Sequence, residues 1–142
     1  MKVLSQLVDT EIGDNYVISQ QTARACLKYL INLNGLPASA EYIVGPRSVM
    51  NLSGWESWRD SAVQLNALES RARHAIHHLK GLVQQGIAWK DLNMECVGVT
   101  RAHIDVFLLR SFIDTISAAE DESIKPILTK FCTLVHPVSS TC

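Results

Sequence analysis

The sequence predicts an all-α chain folded as an antiparallel bundle of about four helices. Three observations carry that expectation. Apolar residues recur at three- and four-residue spacing over long stretches, capping or stop residues bound those stretches, and no repeat or low-complexity segment interrupts them. The chain has 142 residues, 47% of them hydrophobic and 19% charged, which suits one domain with one real core. Its 13 basic and 14 acidic side chains nearly cancel, leaving a formal charge of −1. That balance argues against a nucleic-acid partner held by a basic face and against a disordered chain. No apolar run reaches the roughly 18–20 residues that a membrane span requires.

The elements follow in order. Residues 1–13 read as an irregular lead-in. A first helix is expected from about Asp14 to Leu33, with Asp14 or Asn15 as its cap and Asn34-Gly35 as its stop. Residues 36–58 carry Pro37, Gly45, Pro46 and Gly54 and read as a long loop, pinned at its end by Trp55 and Trp58. The clearest helix is expected from about Arg59 to Gln85. Its Leu65, Leu68, Ala72, Ala75/Ile76, Leu79 and Leu82/Val83 form one stripe. Gly86 ends it, and Asp91 can cap the next.

A third helix is expected from about Leu92 to Ala118, apolar on two opposite faces. Val97, Ile104 and Leu108 mark one, and Val99, Val106, Leu109, Ile113 and Ile116 the other. Such a helix needs cover on most sides, which implies a homodimer or a partner subunit. A fourth is expected over about Ser123 to Val135, capped by Ser123, with Ile124, Ile127, Leu128, Phe131, Leu134 and Val135 on its buried face. Residues 137–142 read as a loose tail, and the whole of 1–142 as one helical domain.

Several side chains invite chemistry. His103 lies on the third helix in a strip with Arg110 and Asp114. An imidazole there can act as acid or base, with the carboxylate fixing its tautomer. Arg101 and Asp105 are four apart and suit a structural ion pair. Tyr16, Tyr29 and Tyr42 can each donate to a ligand carbonyl, and position alone selects none of them. His74, His77 and His78 include a four-residue spacing that a metal can bridge. They fall opposite or beside the apolar stripe, with no carboxylate at matching spacing, so no metal is expected. Cysteines 26, 96, 132 and 142 show no tight pairing motif and read as reduced thiols of an intracellular protein. The N-terminal stretch lacks the apolar core of a signal peptide.

Gly13-Asp14-Asn15-Tyr16-Val17, continuing into Gln20-Gln21-Thr22-Ala23-Arg24, resembles a stretch of the C-terminal helical region of peroxisomal acyl-CoA oxidases, most of all fungal-type members. The likeness continues at Ala88-Trp89 and at Arg101-Ala102-His103, with an apolar run to Phe112, and it spans about residues 10–136. The resemblance implies a truncated relative that lacks the flavin-binding domains. It also implies that the position of the family's catalytic glutamate is Ile12, which cannot accept a proton. Glu11, one residue earlier, is the substitute to consider. In the family the first of these helices helps build the flavin and subunit interface, so Arg24 is a candidate for holding an anionic ligand, with Tyr16, Trp89 and Arg110 as further ligand contacts.

The expected function is therefore not acyl-CoA oxidation by this chain alone. The leading expectation is a cofactor-free cyclase or isomerase acting on an apolar acyl or polyketide-like substrate in specialised metabolism, with His103, Asp114 and Glu11 as candidate catalytic residues. The alternatives are a non-catalytic subunit completing a split flavoenzyme, with FAD supplied by a partner chain, or an inactive fragment. The ending Ser140-Thr141-Cys142 is not an SKL-type address, so a cytoplasmic location is expected over a peroxisomal one.

Overall fold

A computed structural model describes the backbone of residues 2–46 and 54–135, and the side chains of 16–46, 54 and 57–131. Four helices order the chain: α1 (Lys2–Ile31), α2 (Ser61–Gln84), α3 (Asn93–Ala118) and α4 (Lys125–Val135). Short 3₁₀ helices at Ala38–Ile43, Trp55–Arg59 and Trp89–Asp91 fill the connections. The described residues contain no strand, and none of their helices is long and apolar enough to cross a membrane.

α1 corrects the expected lead-in over 1–13, because the helix begins at Lys2 and runs through Asp14 and Asn15 without a cap there. Leu4, Leu7, Val8 and Ile12 already carry three- and four-residue spacing, and Gly13 costs a helix interior only about 1 kcal/mol. The helix stops where expected. The amide of Asn34 donates to the Asn32 side chain, and Gly35 takes φ +76°, which a side chain would resist.

The described parts of the long connection carry two 3₁₀ helices, and residues 47–53 lie outside the described residues. Ala40, Tyr42 and Ile43 of its first 3₁₀ helix are buried in the core. Trp58 is half-buried, and its carbonyl accepts from Gln64 Nε2 at 2.6 Å. The Trp55 side chain lies outside those described. Asp60 caps α2, its carboxylate accepting from the Ala62 amide at 2.8 Å.

The α2 stripe appears as read, with Leu68, Ala72, Ile76 and Leu79 buried and Leu65, Leu82 and Val83 packed at its margin. Gly86 ends α2 at φ +83°. The short connection 85–92 turns α3 back along α2, and this pair makes the most extensive contact in the molecule. Asp91 does not cap α3. It closes the Trp89–Asp91 turn, and the Leu92 carbonyl accepts the Cys96 amide instead. From α3, Cys96, Val99, Ala102, Val106 and Leu109 complete the core. Across it lie Ala23 and Cys26 of α1. Each fully buried Leu or Ile here contributes roughly 1.5–3 kcal/mol. Two polar contacts fix α1 on α3: Gln20 Nε2 donates to Asn93 Oδ1 at 2.7 Å, and Thr100 Oγ1 to the Ser19 carbonyl at 3.2 Å.

The second apolar face of α3 has no such cover. Ile104, Phe107, Leu108 and Phe112 are between 38% and 50% exposed. α4 packs on α3 but corrects the expected burial. Leu128 is half-buried, while Ile124, Ile127 and Phe131 are exposed. Leu134 and Val135 lie outside the described side chains. Ser123 does not cap α4 either. Its amide and hydroxyl both donate to Asp121 Oδ1, and the helix starts at Lys125. The expected tail 137–142 lies outside the described residues.

Candidate functional site

Two polar clusters hold His103, Arg110, Arg24 and Trp89 of the candidate residues. The first forms where the Ala38–Ile43 segment meets α2 and α3. Tyr42 reaches His103, its hydroxyl 2.8 Å from Nδ1, with the rings stacked at 5.9 Å between centroids and 29° between planes. Burial pushes the Tyr42 phenol well above its ordinary range and the His103 imidazole below 6.5. At neutral pH both are uncharged. With the ring proton on Nε2, Nδ1 accepts from the phenol and Nε2–H is left free to donate.

Beside this pair, Glu69 of α2 is buried and shared between two guanidiniums, Arg110 of α3 and Arg73 one turn along α2. Arg110 also donates to the Ala38 carbonyl at 2.9 Å. The 3₁₀ segment is thus clamped to α3 at both ends, by Arg110 at Ala38 and by His103 at Tyr42.

The second cluster joins two residues expected separately. The Arg24 guanidinium of α1 lies over the Trp89 ring, 4.6 Å from its centroid. This contact ties α1 to the turn before α3. Tyr16 is half-buried on α1, away from any described contact with His103. Glu11 and Ile12 lie within α1, and their side chains are outside those described.

Two expectations need correction. Asp114 is exposed and cannot orient His103. Eleven helical residues separate them, about 16 Å along the axis. Arg110 likewise serves Glu69 and Ala38, not the imidazole. Asp105 pairs with Arg71 across α2 and α3, not with Arg101. Both partners are well exposed, so this pair adds little stability.

His74, His77 and His78 are all exposed. His74 and His77, with Ser70 and Arg73, line a partly open recess of about 180 Å³. His74 and His78, with Ala75, Glu95 and Gly98, line a more open one of about 320 Å³. Among the described residues, no group of three or more His, Cys, Asp or Glu side chains is placed to hold a metal ion. Cys26 and Cys96 are buried free thiols; burial pushes Cys26 up to about 11 and raises Cys96 as well.

Glu69 was not singled out by sequence. Its signal was available: a carboxylate beside the α2 stripe with Arg73 four residues on. Tyr42 was one of three equivalent tyrosines until the 3₁₀ turn brought it to His103.

An all-helical core with a clamped polar cluster defines a helical domain. Arg24, the cation on the stretch that the resemblance links to flavin, has one face of its guanidinium on Trp89. The acyl-CoA oxidase family model matches residues 60–137. That is more than half of the chain, which belongs to the acyl-CoA oxidase family. The match begins at the α2 cap Asp60 and spans α2, α3 and α4. No curated protein and no solved structure matches the chain.

Proposed function

We propose that the chain is a flavin-free assembly module of the acyl-CoA oxidase family, pairing with a second copy of itself through the exposed face of α3. The observation that carries this reading is the stripe Ile104, Phe107, Leu108 and Phe112, at i, i+3, i+4 and i+8 opposite the core face. A soluble monomer rarely leaves a large contiguous apolar patch in water. A two-fold axis lets one such stripe meet its own copy, and α4 adds Ile124, Ile127 and Phe131 to the apolar surface to be covered. Ile12, where the resemblance puts the family's base, agrees with a module that does not itself remove the proton. Light scattering tests it. The 15.7 kDa chain should run at twice that mass at micromolar concentration. Phe107→Ser with Leu108→Ser should run as a monomer with unchanged helicity. A wild-type monomer at the highest soluble concentration overturns the reading.

A second reading rests on the Tyr42–His103 contact. A neutral imidazole held by a protonated phenol is suited to proton transfer. It would serve a cofactor-free cyclase or isomerase acting on an apolar acyl or polyketide-like substrate. Neither described recess is lined by His103, so this reading has less support than the first. Its test is turnover by His103→Ala: loss with an intact fold favours it, and unchanged turnover removes His103 from the chemistry.

A further inference from the structure

We infer that the recess bounded by Ser70, Arg73, His74 and His77 is a binding site for a small phosphate-type oxyanion. Four observations meet there. The lining residues sit at i, i+3, i+4 and i+7 of α2, so all four side chains share one face of the helix. Each of them offers hydrogen-bond donors, and none is a carboxylate. The recess holds about 180 Å³, room for several waters or one tetrahedral anion.

The charge balance is the decisive observation. Glu69 carries one negative charge and is shared by two guanidiniums, Arg110 and Arg73. Arg110 lies on the Oε1 side, with a second bond to Ala38. Arg73 has the weaker share, at 3.5 Å from Oε2. The triad therefore keeps one positive charge in excess, and Arg73 is its less closely paired cation. That side chain is only 11% exposed, which strengthens its attraction for an anion at the recess wall. A cation held by one long contact, at the wall of a recess whose other lining side chains are Ser70, His74 and His77, is the arrangement that an oxyanion completes. The neighbouring recess on the other side of His74 contains Glu95, which would repel the same ligand.

The test uses the full chain and inorganic phosphate, followed by NMR at constant ionic strength with chloride as the balancing anion. Phosphate should produce saturable shifts of the Arg73 guanidinium and of the His74 and His77 ring signals, and chloride should not. Because Arg73→Gln also loosens Glu69, a second variant is needed. His74→Ala with His77→Ala alters two exposed side chains and should weaken phosphate binding at least several-fold with the fold intact. Arg73→Gln should abolish it. A phosphomonoester such as glycerol phosphate is titrated in parallel. Binding of either supports the site, and the tighter of the two identifies whether free phosphate or an ester is the ligand. Non-saturable shifts for both, or saturable binding that survives in both variants, overturns the proposal.

Discussion

His103 shows how a neighbour from outside its own helix decides what a residue can do. Its expected partner, Asp114, shares the α3 strip but stands three turns away. Tyr42, from a segment that sequence leaves as loop, takes the position instead. Burial holds the imidazole below 6.5, so the unfolded chain binds this proton first as pH falls. The corresponding stability is present above pH 6.5 and is lost progressively below it. Urea midpoints should therefore drop between pH 7.5 and 5.5, and His103→Gln should flatten its share of that drop. The Cys26 and Cys96 thiols are buried with raised pKa, so little thiolate forms. Iodoacetamide at pH 7.5, read by peptide mass spectrometry, should label neither residue in the native protein and both after denaturation.

At the scale of the element, the helices were legible wherever a stripe and a stop agreed. α2 carries both, and its ends fall within two residues of the expectation. The start of α1 was misread because Asp14 and Asn15 have capping chemistry, yet a cap forms only where the preceding residues leave the helix. Residues 2–13 do not leave it. α4 was misread in burial, not in existence: its apolar spacing is real, but three helices already close the core. Two substitutions test these local balances. Asp60→Ala removes the α2 cap and should cost about 1 kcal/mol in denaturant unfolding. Gly98 sits inside α3, where an added Cβ would meet nothing within 4 Å. Gly98→Ala should therefore raise stability by about 0.5–1 kcal/mol.

The molecule as a whole is a three-helix core with a fourth helix at its margin. Ile76 and Leu79 of α2 and Val106 and Leu109 of α3 all lie in that core, each at 0% exposure. Ile76→Ala should cost roughly 2–5 kcal/mol, measured by urea unfolding, because close-packed neighbours cannot fill the space. The all-α class was legible from spacing alone, and the surplus of apolar surface on α3 was legible as a second face. The candidate site was legible only in part. His103, Arg24, Trp89 and Arg110 could be named, but their partners come from elements separated by long stretches of chain. Pairings such as Arg24 with Trp89 depend on how α1 lies across α3, which no local pattern encodes.

The way α1 and the Tyr42 turn attach also dictates an order in time. Contacts between α2 and α3 join residues 34 or 41 apart in sequence, as in Arg71–Asp105 and Glu69–Arg110. Those that hold α1 to α3 bridge 73 and 81 residues, and Tyr42 reaches His103 across 61. The entropy lost on closing a chain segment grows with its length, so the shorter closures come first. During refolding, pulsed hydrogen exchange should find α2 and α3 amides protected as an early hairpin. Protection of α1 should follow as a later, separate step that brings the Arg24–Trp89 and Tyr42–His103 contacts into being together.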